Sequence, residues 1–397
     1  MNKLRCVGFV LMSVLLFFSC KDQETPVTML SVEVSFPDEL GGVNKDGVSL
    51  SLINQNSGKV YDGLTGTEGE WEIEIPEGVY NVSAFAEKEY TTIAGSESFT
   101  TTANLVGTQE NLSIVGKSQS LSLELSVSIN SNTWVFKELY FTGSRTPEDK
   151  SYRSDKYFSI VNNSDEVLYA DGISLSESHV LTSSDVYDWE SIVSRDEAFV
   201  VNHIYTIPGD GTTYPVQPGE TIILADLGID HTTENPNSFD LTMADFEWWD
   251  DHSLDSDVPE VENLIKSYSS SKTIWTPHNR GLKSYIIFKQ EGAMDDFLTN
   301  NVIEGQTAIG KPLIRYKVPN DVIIDAVEMS TPSSFSLKVI SPALDASYTH
   351  CGDEGDERYG KCVRRKVARE VNGRKVYMDT NNSAVDFETT VTPMPGL

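Results

Sequence analysis

The sequence predicts a mainly β protein built from two consecutive domains. Apolar residues alternate with polar ones over long stretches, which is the period of half-buried strands. Turn-forming clusters of Gly, Pro and Asn separate these stretches at short intervals. With 39% hydrophobic and 10% aromatic residues, the 397-residue chain has enough apolar side chains for packed cores. This length favours two domains over one.

The N-terminus has the composition of an export signal. Lys3 and Arg5 precede an apolar run of twelve residues, 7–18, which is shorter than the roughly 20 residues of a membrane-spanning helix. Residues 16–20, LFFSC, resemble the lipobox of bacterial lipoproteins, in which the leader is cut before a cysteine that is then acylated. The resemblance implies that residues 1–19 are removed and that Cys20 is the lipid anchor. A plain cleaved signal followed by an unrelated cysteine is the alternative.

Residues 20–26 are the expected tether between the lipid and the first domain. Residues 21–24, KDQE, resemble the charged tag that directs Bacteroidota lipoproteins to the cell exterior. Acyl chains such as palmitate anchor a protein through about 0.8 kcal/mol per buried methylene. We therefore expect a lipid-anchored protein of the outer membrane that faces the cell exterior.

Residues 27–129 are expected to form a first β-sandwich. Val48, Leu50 and Leu52 alternate with serines, and similar alternation recurs at 70–75 and 121–127. The stretch 65–87, TGTEGEWEIEIPEGVYNVSAFAE, resembles the prealbumin-like, carboxypeptidase-regulatory-like type of Ig-like sandwich, in which Pro-x-Gly-x-Tyr opens a strand. The resemblance implies a spacer or attachment module and no particular chemistry.

Residues 130–397 are expected to form a larger β-rich domain. The stretch 155–175, DKYFSIVNNSDEVLYADGISL, resembles the lamin-tail type of Ig-like domain. A Pro-Gly turn leading to a buried strand at 214–226 and a core strand at 320–329 fit the same type. We expect a long, loop-rich insertion at about 228–310.

The charge of the chain excludes one class of partner. Lys and Arg total 30 against 60 Asp and Glu, which gives a formal net charge of −30. Nucleic-acid binding requires clustered cations that displace counterions, and anionic lipid headgroups would repel this chain as well. We therefore expect no nucleic-acid partner, and contact with the membrane only through the N-terminal lipid.

Motifs of catalysis are missing from the sequence. It contains no Gly-x-Ser-x-Gly, no His-Glu-x-x-His and no Gly-x-Gly-x-x-Gly. Residues 305–312, GQTAIGKP, end on Pro312 where a phosphate loop needs a hydroxyl for magnesium. We predict no enzyme and no cofactor, with a secreted hydrolase as the minor alternative.

Two cysteines remain once Cys6 has left with the leader and Cys20 has been acylated. Cys351 and Cys362 flank a polar loop with three glycines, and export places them in an oxidising compartment. We predict a disulfide between them, worth about 3 kcal/mol in the chain-entropy account. A zinc site is the alternative, with His350 as a nearby third ligand.

An acidic segment at 244–262 contains the candidate ligand patch. Its members are Trp248, Trp249, Asp250, Asp251 and His252, together with His231. Paired tryptophans beside carboxylates suit stacking on a sugar ring or a flat cofactor. Closely spaced carboxylates suit calcium, but the Asp-x-Asp-x-Asp-Gly order is missing and we predict no metal site. The alternative is a buried tryptophan, solvated acids and a hydrogen-bonded loop histidine.

A basic stretch at 361–375 is predicted to form a hairpin around Asn372 and Gly373. Its candidate partner-facing residues are Arg364, Arg365, Lys366 and Arg374. Three interpretations stay open: contact with an acidic partner, internal pairing with the acidic insertion, or a solvated face.

The two most specific motifs lie at 228–251, GIDHTTENPNSFDLTMADFEWWDD, and at 362–387, CVRRKVAREVNGRKVYMDTNNSAVDF. With the leader, they resemble a Bacteroidota surface lipoprotein family, domain of unknown function 4876, over residues 28–397. The resemblance implies a place beside TonB-dependent outer-membrane receptors and no catalytic residue. We predict a non-enzymatic surface lipoprotein that binds a ligand such as a glycan or metal complex, or assists TonB-dependent uptake. An adhesion or scaffold lipoprotein without a small ligand is the alternative.

Overall fold

The computed structural model describes residues 26–94, 97–128, 133–185, 189, 191–306, 310–353 and 355–396. These residues are mainly β, so the predicted fold class is confirmed. The leader, Cys20 and the predicted domain boundary at 129/130 lie outside them. Within the described residues, no helix has both the length and the apolar character needed to span a membrane.

The chain divides into two compact units, and each is assembled from separate stretches. The first holds the described residues up to Phe36, with Asn44–Phe85 and Gly107–Leu125. The second holds Pro37–Val43, Ala86–Val106 and everything from Ser126 onward. The division is therefore more complex than a single cut between two consecutive domains.

Two sheets are formed by the N-terminal strands. Their bounds are β1 (Val27–Ser35), β2 (Ser49–Asn54), β3 (Val60–Leu64), β4 (Glu70–Pro76), β5 (Gly78–Ala94), β6 (Glu97–Ile114), β7 (Ser118–Glu124) and β8 (Ser126–Val127). One sheet has the order β4-β1-β7 and the other β3-β2-β5-β6-β8. Every second residue of β1 is buried, as in Leu30, Val32 and Val34, which confirms the expected period of two.

The predicted Pro-x-Gly-x-Tyr corner is also confirmed. Strand β5 begins at Gly78, two residues after Pro76. The ring of Tyr80 is buried, and its hydroxyl donates a hydrogen bond to the carbonyl of Pro76 at 2.8 Å. This bond fixes the chain where it leaves one sheet and enters the other, as tyrosine corners do in Ig-like sandwiches.

The second unit contains most of the remaining strands and two short helices. They are β9 (Trp134–Tyr140), β10 (Ser144–Arg145), β11 (Ser151–Tyr152), β12 (Tyr157–Asn162), β13 (Leu168–Tyr169), β14 (Ser174–Ser178), β15 (Ala198–Thr206), β16 (Pro215–Val216), β17 (Thr221–Ala225), β18 (Phe246–Glu247), β19 (Glu262–Asn263), β20 (Ile265–Ser269), β21 (Tyr285–Phe288), α1 (Met294–Asn300), β22 (Val302–Gln306), β23 (Pro312–Pro319), β24 (Ile323–Val327), β25 (Cys362–Arg365), β26 (Val367–Val371), β27 (Arg374–Tyr377), α2 (Ser383–Asp386) and β28 (Phe387–Val391).

Two large sheets of this unit pack face to face. The first, which we call the groove sheet, has the order β19-β18-β17-β12-β9-β25-β28, and the second has β22-β23-β15-β14-β21-β24 with β20 beside β15. Phe158 of the groove sheet meets Tyr285 of the second sheet with ring centroids 4.7 Å apart. Both belong to one buried cluster that also contains Leu175 and Leu224. The interior between the sheets is therefore apolar.

The structure differs from the sequence prediction at 228–310. The segment is loop-rich, as the sequence predicts, but it is not a separate insertion because it supplies strands to both sheets, β18–β22. Strand β21 is buried along its whole length and pairs with β14 and β24. Because both faces of β21 are covered, its residues are all apolar and lack the alternation that reveals a half-buried strand.

Candidate functional site

An open groove of about 980 Å³ lies on the outer face of the groove sheet. Its walls come mainly from the Pro-Gly turn before β17, the hairpin β26–β27 and the start of the acidic segment, and β9 and β17 contribute the floor. The lining residues are Lys137, Pro215, Val216, Pro218, Gly219, Glu220, Thr221, Ile222, Ile223, Met243, Asp245, Asn372, Gly373, Arg374, Lys375, Tyr377 and Gly396. The basic hairpin and the acidic segment thus meet at one concave surface.

The floor of the groove follows from strand alternation. Ile222 and Leu224 face the apolar interior, so Thr221 and Ile223 face outward. Lys137 on β9 is only 9% exposed, and its ammonium donates to the Thr221 hydroxyl at 3.1 Å. Burial lowers the pKa of this lysine, while the nearby carboxylate of Glu138 acts in the opposite direction.

The hairpin supplies the wall that carries two more cations. Asn372 and Gly373 have φ angles of 53° and 82°, as a two-residue hairpin turn of this type requires, so the predicted turn is confirmed. The turn places Arg374 and Lys375 beside the groove. Tyr377 holds the hairpin down, because its backbone exchanges two hydrogen bonds with the amide side chain of Asn163.

Gly219 brings the opposite wall close to Arg374. Its φ of +83° is in the left-handed region, which glycine adopts without strain. A Cβ atom at Gly219 would lie 2.9 Å from Cγ of Arg374. The guanidinium of Arg374 donates to the carbonyl of Asn163 at 3.2 Å. The arginine stem is therefore clasped between the turn and the hairpin.

Two carboxylates complete the lining. Glu220 accepts the amide of Gln217 through Oε2 at 2.9 Å, and Asp245 accepts the amide of Ile223 through Oδ2 at 2.8 Å. Among the described residues, the second oxygen of each carboxylate receives no hydrogen bond. The groove therefore contains three cationic groups together with two carboxylate oxygens that can accept hydrogen bonds.

The predicted ligand patch around the tryptophan pair does not form one surface. Trp248 is fully buried, its ring 5.0 Å from that of Trp275, and its indole N–H donates to Asp226 at 3.1 Å. Trp249 is half-buried, Asp251 is exposed and His252 is half-buried. Trp248 is unavailable to a ligand because it fills the space between the two sheets, so the prediction is wrong for this residue.

Asp250 and His231 are buried as well, and they are structural. The carboxylate of Asp250 accepts hydrogen bonds from the Tyr205 hydroxyl, the Lys266 ammonium and the Trp275 amide, at 3.0, 2.7 and 2.6 Å. The ring of His231 lies 2.7 Å from the Tyr152 hydroxyl. Both side chains have their polar atoms engaged inside the protein, which corrects their assignment to a ligand patch.

The predicted partner-facing cations separate into two groups. Arg365 is 2% exposed and pairs with Asp325, Asp379 and Asp386, at 2.5, 3.4 and 3.5 Å. We call these four residues the Arg365 cluster. Arg365 therefore cannot face a partner, and the prediction is wrong for it because β25 lies inside the groove sheet.

Two neighbours of Arg365 also make internal contacts. Arg364 pairs with the buried carboxylate of Glu138. The ammonium of Lys366 donates to the carbonyl of Val385 at 2.6 Å. Of the four predicted cations, Arg374 alone lines the groove.

The predicted disulfide is not formed in the structure, where Cys351 and Cys362 are free, buried thiols. Cys351 belongs to the apolar cluster between the two sheets, whereas Cys362 belongs to a cluster on the outer face of the groove sheet. Burial raises the pKa of both thiols well above the usual range. The prediction fails because closeness in sequence does not place two cysteines side by side, and these two side chains lie in different clusters.

The described residues contain no group of His, Cys, Asp and Glu side chains arranged to hold a metal ion. Several acids of 244–262 accept hydrogen bonds from protein donors instead. Glu247, for example, accepts the backbone amides of Val258 and Gly228, at 2.8 and 3.2 Å.

Sequence reasoning misses the floor of the groove. Lys137 is hidden in WVFKELYF, an apolar strand in which a single lysine is the only available signal. Nothing in the sequence around Thr221 indicates that it contacts Lys137, because this contact depends on the placement of β17 two strands away from β9. The charges of Lys375 and Asp245 can be read from the sequence, but only the tertiary structure brings the two residues to the same groove.

Comparison with known proteins gives one strong fold similarity. The chain resembles the crystal structure of a DUF4876 family protein from Bacteroides thetaiotaomicron, with a TM-score of 0.59 and 22% identity over 92% of this chain and 96% of that chain. A DUF3823 family protein from Parabacteroides merdae matches 41% of this chain and 69% of its own, at 15% identity and a TM-score of 0.16. A candidate adhesin from Bacteroides ovatus matches 75% and 84%, at 11% identity and a TM-score of 0.22. The last two similarities are too weak to carry a function.

No curated protein matches the chain. A family model does: residues 217–394 match the family described as "Protein of unknown function (DUF4876)". These residues include the Pro-Gly turn and the hairpin that form two sides of the groove. The resemblance predicted from the two motifs is thereby confirmed: the chain matches the DUF4876 family over residues 217–394 and shares the fold of a solved member of that family.

Proposed function

We propose that this protein is a non-enzymatic, ligand-binding lipoprotein of the outer membrane that is exposed at the cell surface. The observation that supports ligand binding is the groove, where the basic hairpin and the acidic segment converge. Its volume of about 980 Å³ lies at the upper end of the roughly 300–1,000 Å³ of small-molecule sites. Its polar and charged lining suits a hydrophilic ligand.

A binding role also agrees with the sequence, which lacks the Gly-x-Ser-x-Gly, His-Glu-x-x-His and Gly-x-Gly-x-x-Gly motifs. In the groove the Thr221 hydroxyl accepts a hydrogen bond from the Lys137 ammonium, so this pair does not present an activated nucleophile. The lining groups are donors and acceptors held in place by backbone contacts. Such an arrangement recognises a molecule without transforming it.

The location and the partner rest on the N-terminal sequence and the family resemblance. The lipobox-like leader and the KDQE tag support an acylated Cys20 on the outer leaflet. The family resemblance supports a TonB-dependent receptor as the partner. In this arrangement the protein captures a nutrient and presents it to the receptor.

Metabolic labelling with palmitate and protease treatment of intact cells test this location. The full-length chain and its Cys20→Ala variant would be expressed in a Bacteroidota host. We expect label and membrane association only with Cys20, and degradation of the native protein by protease added outside the cells. Protection from the protease until the outer membrane is permeabilised would contradict surface exposure.

Cross-linking in the same cells tests the partner. We expect a TonB-dependent β-barrel receptor to co-purify with the wild-type protein and not with the Cys20→Ala variant. If the protein is cross-linked only to host or neighbouring-cell surface components, the adhesion or scaffold function replaces the uptake function.

A further inference from the structure

We infer that the groove selects its ligand by negative charge, and that the ligand is an acidic oligosaccharide bound by Lys137, Arg374 and Lys375. The inference rests on the proposed function to the extent that the groove is the ligand site. It adds the chemical class of the ligand, which neither the family nor the fold assigns.

The first argument is the contrast in charge between the groove and the whole chain. The protein carries a net charge of −30, yet its groove holds more cations than carboxylates. Some cations of this chain pair with carboxylates, as Arg364 and Arg365 do. Among the described residues, Arg374 and Lys375 make no ion pair. They are thus left to attract an external anion.

The second argument is that the side chains of Arg374 and Lys137 are held in place before a ligand binds. The stem of Arg374 is clasped by Gly219, and one guanidinium nitrogen is tied to the carbonyl of Asn163. The Lys137 ammonium is fixed against Thr221, and it lies 5.9 Å from the centre of the Tyr377 ring. Because these side chains are already ordered, binding an anion costs less conformational entropy. Charge-assisted hydrogen bonds from such donors are stronger than neutral ones.

The third argument is that the groove also needs hydroxyl donors from its ligand. Glu220 and Asp245 line the same groove as the cations, and the second oxygen of each carboxylate can accept a hydrogen bond from a hydroxyl group. A ligand that pairs with the cations and also donates hydrogen bonds to the carboxylate oxygens must carry anionic groups and several hydroxyls. Inorganic anions such as sulfate and phosphate lack a set of several hydroxyl donors, and fatty acids would leave the polar lining unsatisfied. Carboxylated sugars supply both kinds of group.

The burial of Tyr377, the aromatic residue of the lining, also favours an acidic ligand. Tyr377 is only 6% exposed, because it packs against Val135 and Val161. It cannot offer an open ring face on which a neutral sugar would stack. Affinity must therefore come mainly from charge and hydrogen bonds.

Calorimetric titration of the full-length, detergent-solubilised lipoprotein with three probes tests this inference. The probes are a short oligogalacturonate, its neutral methyl ester and an oligoglutamate peptide. We expect the oligogalacturonate to bind, its affinity to fall with added salt, and the ester to bind at least about tenfold more weakly. The Arg374→Gln/Lys375→Gln variant should lose at least about tenfold in affinity for oligogalacturonate. The matched Arg369→Gln/Lys272→Gln variant, which removes two exposed cations outside the groove, should bind as the wild type does.

Each other outcome would overturn the inference. Equal binding of the ester would show that charge does not select the ligand, and tighter binding of oligoglutamate would assign the groove to an acidic peptide. Failure of all three probes to bind, or oligogalacturonate binding unaffected by Arg374→Gln/Lys375→Gln, would rule out the proposed site. The single Lys375→Gln variant gives a second reading should the double variant misfold. None of these results bears on palmitate labelling or surface proteolysis, so failure here is distinguishable from failure of the proposed function.

Discussion

Arg365 and Arg374 belong to the same basic stretch of sequence but have opposite roles in the structure. Arg365 lies on a strand inside the groove sheet, where three aspartates surround it. Arg374 follows the turn of a hairpin and reaches the groove, where it makes no ion pair among the described residues. The comparison shows that strand pairing decides whether an arginine of this basic stretch is buried in an ion-pair cluster or lines the groove. One arginine stabilises the fold, and the other is available to a ligand.

The largest effect expected from this comparison is on stability. Replacing Arg365 with Met leaves three buried carboxylates without their shared cation, and removal of one partner from a buried ion pair typically costs about 3–5 kcal/mol. Denaturant unfolding measures the change in the free energy of unfolding. Arg369→Met serves as the control, because Arg369 is exposed on the neighbouring hairpin and its loss should change stability by less than about 0.5 kcal/mol. Equal effects of the two substitutions would contradict the structural role of Arg365.

A smaller loss of stability is expected at the wall of the groove. Gly219→Ala places a side chain at positive φ and against the stem of Arg374, which should cost about 1–3 kcal/mol. Gly292→Ala is the matched control, because Gly292 has a φ of +81° and a Cβ added there would meet no atom of the described residues within 4 Å. The difference between the two variants in unfolding free energy reports the contact with Arg374. No difference would mean that the clasp around Arg374 is not tight.

The Arg365 cluster should also make stability depend on pH. Burial raises the pKa of Asp379 from 3.8 to about 7, although Arg365 opposes this shift. In the folded state Asp379 therefore holds a proton that the unfolded chain releases near pH 4, so the contribution of Asp379 to stability falls as the pH rises from about 4 to about 7. Asp379→Asn mimics the protonated form and should reduce this loss. Unfolding curves of both proteins measure this loss at about pH 5 and about pH 8, which lie on either side of the folded-state pKa. The same pH dependence in Asp379→Asn and in the wild type would contradict the assignment of the loss to Asp379.

The smallest stability change is expected at Lys375. Its side chain is exposed and makes no ion pair among the described residues, so Lys375→Gln should alter the unfolding free energy by less than about 0.5 kcal/mol. Thermal unfolding measures this, with wild type and Arg369→Gln run beside it. A large destabilisation would show that Lys375 supports the hairpin itself.

The sequence predicts those parts of the fold that are buried on one side only. The alternation at Val48, Leu50 and Leu52 reveals a strand because one face of it meets solvent. The Pro76–Tyr80 corner and the turn at Asn372 are recognisable because their backbone geometry depends on residues adjacent in sequence.

The rest depends on contacts between distant parts of the chain. Strand β21 has both faces covered and therefore no alternation, so its sequence does not distinguish it from part of an insertion. Trp248 and His231 fit a ligand patch by sequence because composition does not reveal which side of a strand or loop faces inward. The groove joins Lys137, Thr221 and Arg374, which only the pairing of the strands and the fold of the hairpin bring together.

The most direct test of the contrast between Arg365 and Arg374 combines two measurements on the Arg374→Gln/Lys375→Gln variant: its affinity for oligogalacturonate and its free energy of unfolding. If the groove cations serve a ligand and the Arg365 cluster serves the fold, affinity falls at least about tenfold, while stability falls by no more than the roughly 1 kcal/mol expected for the lost hydrogen bond between Arg374 and Asn163. Unchanged affinity, or a loss of affinity that merely follows unfolding, would contradict this division of roles.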